Sequence, residues 1–273
     1  MREHRRISRQ IVYIDETWLE SNLTFQKCCH EENSKIGAIV NCSSKNRLIF
    51  VHAGTSEGFV QGAELIYKAS SQTGDYHGQM NFDNFKKWVL AKLLPNLQPE
   101  SVVVMDNAPY HTKVENPTPT KYALKAVMVD WLTLNGIDCD VGMRKAELFS
   151  LIENNRPKEV IYSIDKLIKD QGHHVVRLPP YHCDLYAIEY AWATVKRFVR
   201  VRNTTGDLSL VNLTALLYDA VNGVTADEWR SHCQHVENIY WEKDGFMEDL
   251  VDSLIISTAD DSEETESCDE EFL

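Results

Sequence analysis

Three acidic side chains occupy places in the sequence where they could bind a metal ion. Asp106 follows the apolar run VVVM, and Asp15 directly follows the apolar residues of IVYI. Glu189 lies in the helical pattern DLYAIEYAW, at the border of its apolar face. A carboxylate beside such a face is unfavourable unless it is paired with a cation or bound to a metal. The three acids are therefore candidates for a catalytic metal site.

The two acids predicted at strand ends are the strongest candidates for metal ligands. If the first and fourth predicted strands are neighbours in one sheet, Asp15 and Asp106 lie side by side beyond their strands. Two bare carboxylates a few ångströms apart repel, so one becomes protonated unless a cation neutralises them. A hard divalent cation with oxygen ligands is the natural counter-ion. Taken singly, Asp15 and Asp106 could be turn formers, and Glu189 a solvated helical residue.

Hydrophobic patterning predicts the elements that position these acids. Five runs have strand character, at residues 10–19, 35–42, 46–54, 101–107 and 173–180. Helical patterns lie at residues 81–97, 121–136, 143–155, 158–172 and 184–203, with two further helices at 210–224 and 226–241. Three meandering strands followed by strand–helix alternation predict an α/β fold: a mixed five-stranded sheet with helices on both faces. A helical insertion of about 113–172 precedes the last strand.

Composition and charge restrict the class of protein. No apolar run is long enough to cross a bilayer, and no apolar stretch follows the basic N-terminus as in a signal peptide. Seven scattered cysteines without zinc-ligand spacing favour the reduced thiols of a cytosolic or nuclear protein. Of the net charge of −13, eight negative charges lie in residues 258–273, which leaves −5 for the remainder. Residues 248–273 are predicted to be a disordered acidic tail, and DNA contacts require local basic patches.

Three sequence words, in order, carry a resemblance to a known family: YIDETWL, VVMDNAPYH and LPPYHCDLYAIEYAWATVK. Together they resemble the catalytic domain of DDE transposases of the Tc/mariner superfamily. That family has a strand with an Asp-Glu-Ser/Thr-Trp word, a strand ending in Asp-Asn-Ala, and a Leu-Pro-Pro-Tyr segment before a helix with Ile-Glu and Trp. The match covers roughly residues 10–203, and TGDYHGQMN at residues 73–81 is similar to an arthropod-type branch.

The resemblance implies an RNase H-like fold and a specific chemistry. Asp15, Asp106 and Glu189 would be the catalytic triad that holds two Mg²⁺ ions, with Mn²⁺ as a substitute. The implied reaction is cleavage of phosphodiester bonds at transposon ends and transfer of the 3′-OH ends to a TA target. Family members act as dimers on paired DNA ends, so the resemblance implies DNA and a second copy of the chain as partners, no membrane partner, and a nuclear location.

The sequence departs from the family pattern at three places. Tyr186-Ala187 replaces Asn-Pro, and the loss of the proline is expected to loosen the start of the helix that carries Glu189. The gap between Asp106 and Glu189 holds 82 residues, as in long-spacing branches rather than in common members. Family members carry helix-turn-helix modules ahead of this domain, and we expect this chain to lack them. Residues 1–9 are interpreted as a basic linker remnant, with a nuclear signal as the alternative.

Basic side chains near Glu189 suggest how DNA could be held. Lys196, Arg197 and Arg200 follow Glu189 on the same helical pattern and are predicted to contact phosphates beside the metal ions. The alternative is a solvated helix face that interacts with the C-terminal helix dipole. For His111, a structural hydrogen bond is favoured over contact with metal-bound water or DNA.

Two functions from different classes remain open for the predicted catalytic domain of residues 10–247. The first is a metal-dependent DNA-cutting and strand-transfer enzyme, which the three intact carboxylates favour. The second is an inactive or co-opted transposase-derived protein that acts as a DNA- or protein-binding module. The altered Tyr186-Ala187 and the expected lack of end-recognition modules favour this second function. A nuclease for RNA–DNA hybrids is a third reading, against which the Leu-Pro-Pro-Tyr word argues.

Overall fold

The structure is a computed structural model that describes residues 1–23, 47–69, 79–140, 142–180, 182–203 and 208–240. The strand expected at 35–42, most of the 73–81 stretch and the predicted tail of 248–273 lie outside the described residues. Among the helices that are described, none combines the length and apolar character needed to span a membrane.

A mixed sheet forms the centre of the fold. Its described strands are β1 (Ile11–Glu20), β2 (Arg47–Thr55), β3 (Gly58–Phe59), β4 (Leu65–Lys68), β5 (Val102–Met105) and β6 (His174–Arg177). The strand order is β3-β2-β1-β5-β6, and β4 also pairs with β2. β1 runs antiparallel to β2 and parallel to β5, which is in turn parallel to β6. The predicted mixed sheet is confirmed, while the short strands β3 and β4 were not foreseen.

Helices pack around this sheet. They are α1 (Arg2–Arg6), α2 (Phe82–Trp88), α3 (Lys125–Leu134), α4 (Lys145–Asn154), α5 (Ser163–Asp170), α6 (Ala187–Arg202), α7 (Leu210–Asn222) and α8, which is helical from 226 to 240. Asn81 caps α2, because its side chain accepts the Asn84 amide at 2.9 Å, as its residue type predicts. The helix expected at 81–97 is broken after α2 by a π-helical turn, Val89–Leu93, and a 3₁₀ turn, Leu94–Asn96.

Alternating side chains of β1 and β5 bury two separate cores. Tyr13 and Val104 face α6, α7 and α8 on one side of the sheet. Val12, Ile14 and Val103 face α2 and α5 on the other side. Each fully buried side chain of this size contributes about 1.5–3 kcal/mol of transfer free energy. Helices therefore cover both faces, as the sequence predicted. Asp15, two residues after Tyr13, is on the face that packs against α6.

The predicted helical insertion also folds around apolar side chains of its own. α3 and α4 share a small core, which consists of Met128, Trp131, Leu132, Leu148 and Ile152. A β-bridge between Val114 and Tyr162 closes the part of the segment that contains α3 and α4, whereas α5 packs on the sheet core through Ile164 and Ile168. The insertion thus leaves and re-enters the fold at neighbouring points, so β5 and β6 can pair directly.

Candidate active site

The pairing of β1 with β5 determines where the two aspartates lie. Ile11 is opposite Val102 and Tyr13 is opposite Val104 in this parallel pair. Two residues further along each of these two segments, Asp15 comes opposite Asp106. Because side chains alternate along a strand, both carboxylates are on the face that packs against α6. The predicted pairing of these two strands is confirmed. The prediction that Asp15 ends its strand is wrong, because β1 pairs with β2 as far as Glu20.

Helix α6 brings Glu189 to the same place. Glu189 is in the first turn of α6 and, together with Asp106, lines a cleft of about 270 Å³. Pro179, Cys183 and Tyr186 are among the other residues of this cleft. Asp15 does not line it and is only 7% exposed. The structure thus joins Asp106 and Glu189 at one surface, with Asp15 buried next to them.

Two aromatic side chains fix α6 onto β1. The Tyr186 hydroxyl donates a hydrogen bond to the carbonyl of Ile14, and the Trp192 indole N–H donates to Oδ2 of Asp15 at 2.8 Å. Both aromatic rings are buried. The loosened helix start expected from Tyr186-Ala187 is not seen, because α6 begins at Ala187 and its N-cap residue Tyr186 is anchored to the strand.

The chain after β5 orients the carboxylate of Asp106. His111 Nδ1 donates to Oδ1 of Asp106 at 2.6 Å, and the Ala108 amide donates to the same oxygen at 3.1 Å. An ionised carboxylate can only accept, so the proton must be on Nδ1 of the imidazole. Arg177 donates to the backbone carbonyls of Asp106 at 3.0 Å and His111 at 2.8 Å. The structural hydrogen bond favoured for His111 is therefore present.

The three carboxylates differ in the environment that each experiences. Burial, followed by the negative charge of Glu189, raises the pKa of Asp15 well above its ordinary value, against the hydrogen bond from Trp192. Burial also acts to raise the pKa of Asp106, but His111, Ala108 and Arg177 outweigh it, so that this pKa is lowered. Burial raises the pKa of Glu189; Lys196 opposes this effect and Asp106 reinforces it. The repulsion anticipated from the sequence is thus found.

Glu16 is an acid of this region that was not predicted from the sequence. It follows Asp15 but lies on the other face of β1, where its Oε2 is buried without a hydrogen-bond partner. His111 Nε2, also buried and without a hydrogen bond, is 3.8 Å from that oxygen. Burial, and then the charge of Asp15, raises the pKa of Glu16 well above its ordinary value. Successive side chains of a strand point to opposite faces, so a strand that carries Asp-Glu directs one of the two acids to each face. This alternation could have predicted Glu16 from the sequence.

The predicted DNA-binding side chains lie further along α6. Lys196 and Arg200 are seven and eleven residues after Glu189, which places them on nearly the same helix face. The Lys196 ammonium is 5.9 Å from the ring centroid of Trp18, and Arg197 is exposed. The structure therefore groups Lys196 and Arg200 with Glu189, and their contact with DNA remains a prediction.

The donor atoms of the site suit a hard divalent cation. One oxygen of Asp106 and one of Asp15 are used to orient the carboxylates, and the second oxygen of each makes no side-chain hydrogen bond to a described residue. Carboxylate oxygens are the preferred ligands of Mg²⁺ and Mn²⁺. Within the described ranges, no three His, Cys, Asp or Glu side chains are arranged closely enough to hold a metal ion by themselves.

Solved structures with a similar fold include complexes of the Mos1 transposase. The Mos1 strand transfer complex matches with a TM-score of 0.54 and 12% identity, over 89% of this chain and 56% of that chain. A pre-cleavage Mos1 transpososome matches with a TM-score of 0.53 and 14% identity, over 89% and 57%. The Mos1 mariner paired end complex with Mn matches with a TM-score of 0.50 and 12% identity, over 89% and 57%.

This likeness confirms the predicted RNase H-like fold, and at such low identity it shows the fold alone. The chain spans a little over half the length of the Mos1 chains that it matches. No family model and no curated protein matches this sequence.

Proposed function

We propose that the chain is a metal-dependent transposase catalytic domain of the Tc/mariner type, which cleaves phosphodiester bonds at transposon ends and transfers the 3′-OH ends to target DNA. The β1–β5 register carries this proposal, because it brings Asp15 beside Asp106 while α6 adds Glu189. The Mos1 complexes, among them a strand transfer complex and a paired end complex with Mn, support DNA and a divalent ion as ligands.

Each residue of the site has a role in this proposal. Asp15, Asp106 and Glu189 would hold the metal ions, and Lys196 and Arg200 would bind DNA phosphates on the face of α6 that carries Glu189. The chemistry that two bound Mg²⁺ ions supply is activation of a water or 3′-hydroxyl and stabilisation of the leaving oxygen.

The residues around the carboxylates would keep them in position. His111 and the Ala108 amide fix Asp106, and Trp192 fixes Asp15. Tyr186 holds α6 against β1. A nuclear location and action as a homodimer are parts of the same proposal, and sedimentation of the protein with and without DNA would measure its oligomeric state.

Calorimetric titration of Mn²⁺ tests the metal site without requiring activity. We expect the wild-type protein to bind Mn²⁺ and Asp106→Asn to lose one site or to bind at least tenfold more weakly. Asp83→Asn is the matched control, because it removes the same charge from an exposed position in the first turn of α2. The titrations are repeated with a short DNA duplex, since DNA phosphate oxygens can complete a metal site. Equal affinity in wild type and Asp106→Asn would contradict the assignment.

A second candidate function is a DNA- or protein-binding module without catalysis. It is favoured by one observation, that the described residues contain no group of three metal-binding side chains ready to hold an ion. This function predicts that the wild-type protein binds duplex DNA equally well with Mn²⁺ and with a chelator, and that Asp106→Asn binds DNA as the wild type does. The catalytic proposal predicts tighter DNA binding with Mn²⁺ and loss of that difference in Asp106→Asn.

A further inference from the structure

The basic segment ahead of β1 is folded into the domain rather than extended from it. The side chains of Arg5 and Arg9, assigned from sequence to a linker remnant, are only 17% and 22% exposed. Arg5 forms an ion pair with Glu237 of α8 at 2.9 Å. Together with α8 and the start of β1, this segment encloses a cavity of about 610 Å³. The cavity lies at the end of the sheet at which β1 begins. Asp15 and Asp106 lie at the opposite end, after the last paired residues of β1 and β5.

We propose that this cavity binds a phosphate group, carried either by a free nucleotide or by a DNA backbone. Three arginines contribute to its wall, Arg5, Arg9 and Arg230, against two acids, Glu57 and Glu237. Each of these arginines already has an acidic partner, because Arg5 pairs with Glu237, Arg9 with Glu100 and Arg230 with Asp227. A phosphate would therefore bind by replacing a carboxylate. Guanidinium groups match the geometry of phosphate oxygens and bind them with charge-assisted hydrogen bonds.

Two buried donors at the cavity lack an acceptor. Tyr13 is 1% exposed and its hydroxyl proton has no acceptor, and Nε of Arg9 is likewise buried and unpaired. Burial raises the pKa of Tyr13 to about 12, so the phenol keeps its proton and remains a donor. Arg5 lies beside the Tyr13 hydroxyl but cannot accept that proton, because a guanidinium has no acceptor. Buried donors normally find an acceptor, and a phosphate oxygen in the cavity would provide one.

The backbone around Arg9 also departs from ordinary geometry. Among the described residues, two that are not glycine have a positive φ: Ser8 at 53° and Glu100 at 56°. Ser8 lines the cavity, and the Glu100 carboxylate accepts from Nη2 of Arg9 at 3.1 Å. Left-handed conformations are unfavourable for such residues and persist where the surrounding structure imposes them. Ser8 directly follows Ile7, the C-cap residue of α1, where a left-handed residue commonly ends a helix. The contact that holds Arg9 at the cavity wall is the hydrogen bond to Glu100.

The ion pairs already present do not block the site. Glu100 is 68% exposed, and Arg230 pairs with an exposed Asp227. Exposed pairs of this kind are weak, so a phosphate can compete for the guanidinium groups of Arg9 and Arg230. The Arg5–Glu237 pair is less exposed, with side chains at 17% and 34%. The volume of the cavity is within the range of small-molecule sites and accommodates a mononucleotide.

The test is calorimetric titration with inorganic phosphate and with thymidine 5′-monophosphate. We expect Tyr13→Phe and Arg9→Gln to weaken binding about tenfold or more, as for loss of a hydrogen bond to a charged acceptor. Arg6→Gln is the matched control, since it removes the same charge from the same segment but at an exposed position that does not line the cavity. It should change affinity less than about twofold, within the usual range for surface charges. Tyr13→Phe removes a buried donor that has no acceptor, so the variant should unfold at the wild-type temperature or above it.

Competition with a short DNA duplex identifies the source of the phosphate. Displacement of the mononucleotide by the duplex indicates a DNA backbone, and retention of the mononucleotide indicates a free nucleotide. Absence of binding by the wild type at millimolar phosphate, or equal affinities in Tyr13→Phe, Arg9→Gln and the wild type, would overturn the inference. Asp106→Asn should still bind phosphate normally, so a failed metal site and a failed phosphate site give different results.

Discussion

At the scale of single residues, two neighbouring carboxylates have opposite preferences for their proton. The hydrogen bond from His111 helps to lower the pKa of Asp106 against the effect of burial. Burial and the like charge of Glu189 raise the pKa of Asp15. A divalent cation at the site would remove the repulsion and favour ionised Asp15. Metal binding and release of a proton from Asp15 should therefore be linked.

Replacement of Asp15 by Asn should stabilise the metal-free protein at neutral pH. The pKa of Asp15 in the folded protein is above its ordinary value of 3.8. The contribution of Asp15 to the free energy of unfolding is therefore fully present below the ordinary pKa of 3.8. It is lost as the pH rises through the folded pKa, by at most about 1.4 kcal/mol per pH unit. The variant lacks this loss, and its amide oxygen can still accept from Trp192. Thermal unfolding in EDTA should show the two proteins diverging as pH rises, and equal pH dependence would contradict the prediction.

His111 should control metal affinity through Asp106 without contacting the metal. His111→Leu removes the donor to Oδ1, and we expect it to weaken Mn²⁺ binding by about tenfold or more. His111→Asn can place an N–H near the position of Nδ1 and should restore part of that affinity. Phe85→Leu is the control, because it removes the ring packed against His111 at 4.2 Å but keeps the hydrogen bond. It should lower the unfolding temperature and leave Mn²⁺ affinity unchanged; a parallel loss of affinity would make His111 merely structural.

The residues of the site could be predicted from sequence to different degrees. Asp15 and Asp106 could be predicted because each directly follows an apolar run, where an acidic residue is unexpected. The contact between Glu16 and His111 could not be predicted, because the two residues come from different segments and meet only when β1 pairs with β5. Tyr186 was expected to loosen the start of α6, whereas its hydroxyl donates a hydrogen bond to the Ile14 carbonyl of β1.

At the scale of elements, long periodic segments were predictable and short ones were not. β3 has two residues and β4 four, too few to display the alternation of a strand. The helix expected at 81–97 breaks near Pro95, which has no N–H to continue the hydrogen-bonding ladder. β1 and β5 were identified because they are apolar and central, and these are the strands that carry the two aspartates.

The contact between β2 and α8 gives a sharp prediction about packing. A Cβ added at Gly54 would lie 2.0 Å from the ring of Trp229, which is fully buried. Gly54→Ala should therefore destabilise the protein by about 1–3 kcal/mol or more through overpacking. Chemical denaturation should show this as a lower midpoint, with Gly142→Ala as a control in an exposed loop. Adding Trp229→Leu to Gly54→Ala should recover part of the loss; no recovery would place the strain elsewhere.

At the scale of the whole molecule, the distribution of charge opposes the proposed partner. DNA is polyanionic, and the chain has a net charge of −13. The basic side chains available near the site are few, with Lys196 and Arg200 on the face of Glu189. The fold class followed from the order of strands and helices, but the resulting electric field did not, because it depends on where each charge lies in space. The contribution of the acidic C-terminal residues can be measured directly.

Deletion of residues 258–273 should strengthen binding to duplex DNA. The segment carries eight acids and no base, so its removal changes the net charge from −13 to −5. We expect about a tenfold gain in affinity at low salt, because like-charge repulsion of DNA is reduced. The gain should shrink as ionic strength rises, since the Debye length falls to about 10 Å at 0.1 M salt.

A full-length variant with the eight acids changed to Asn and Gln distinguishes the effect of the charge of the segment from that of its steric bulk. If the segment acts through its field, this neutralised variant should bind DNA as the deletion does, at every salt concentration. If the deletion strengthens binding and the neutralised variant does not, the segment occludes the DNA surface instead. Unchanged affinity in both proteins would contradict the prediction that the C-terminal acids weaken DNA binding.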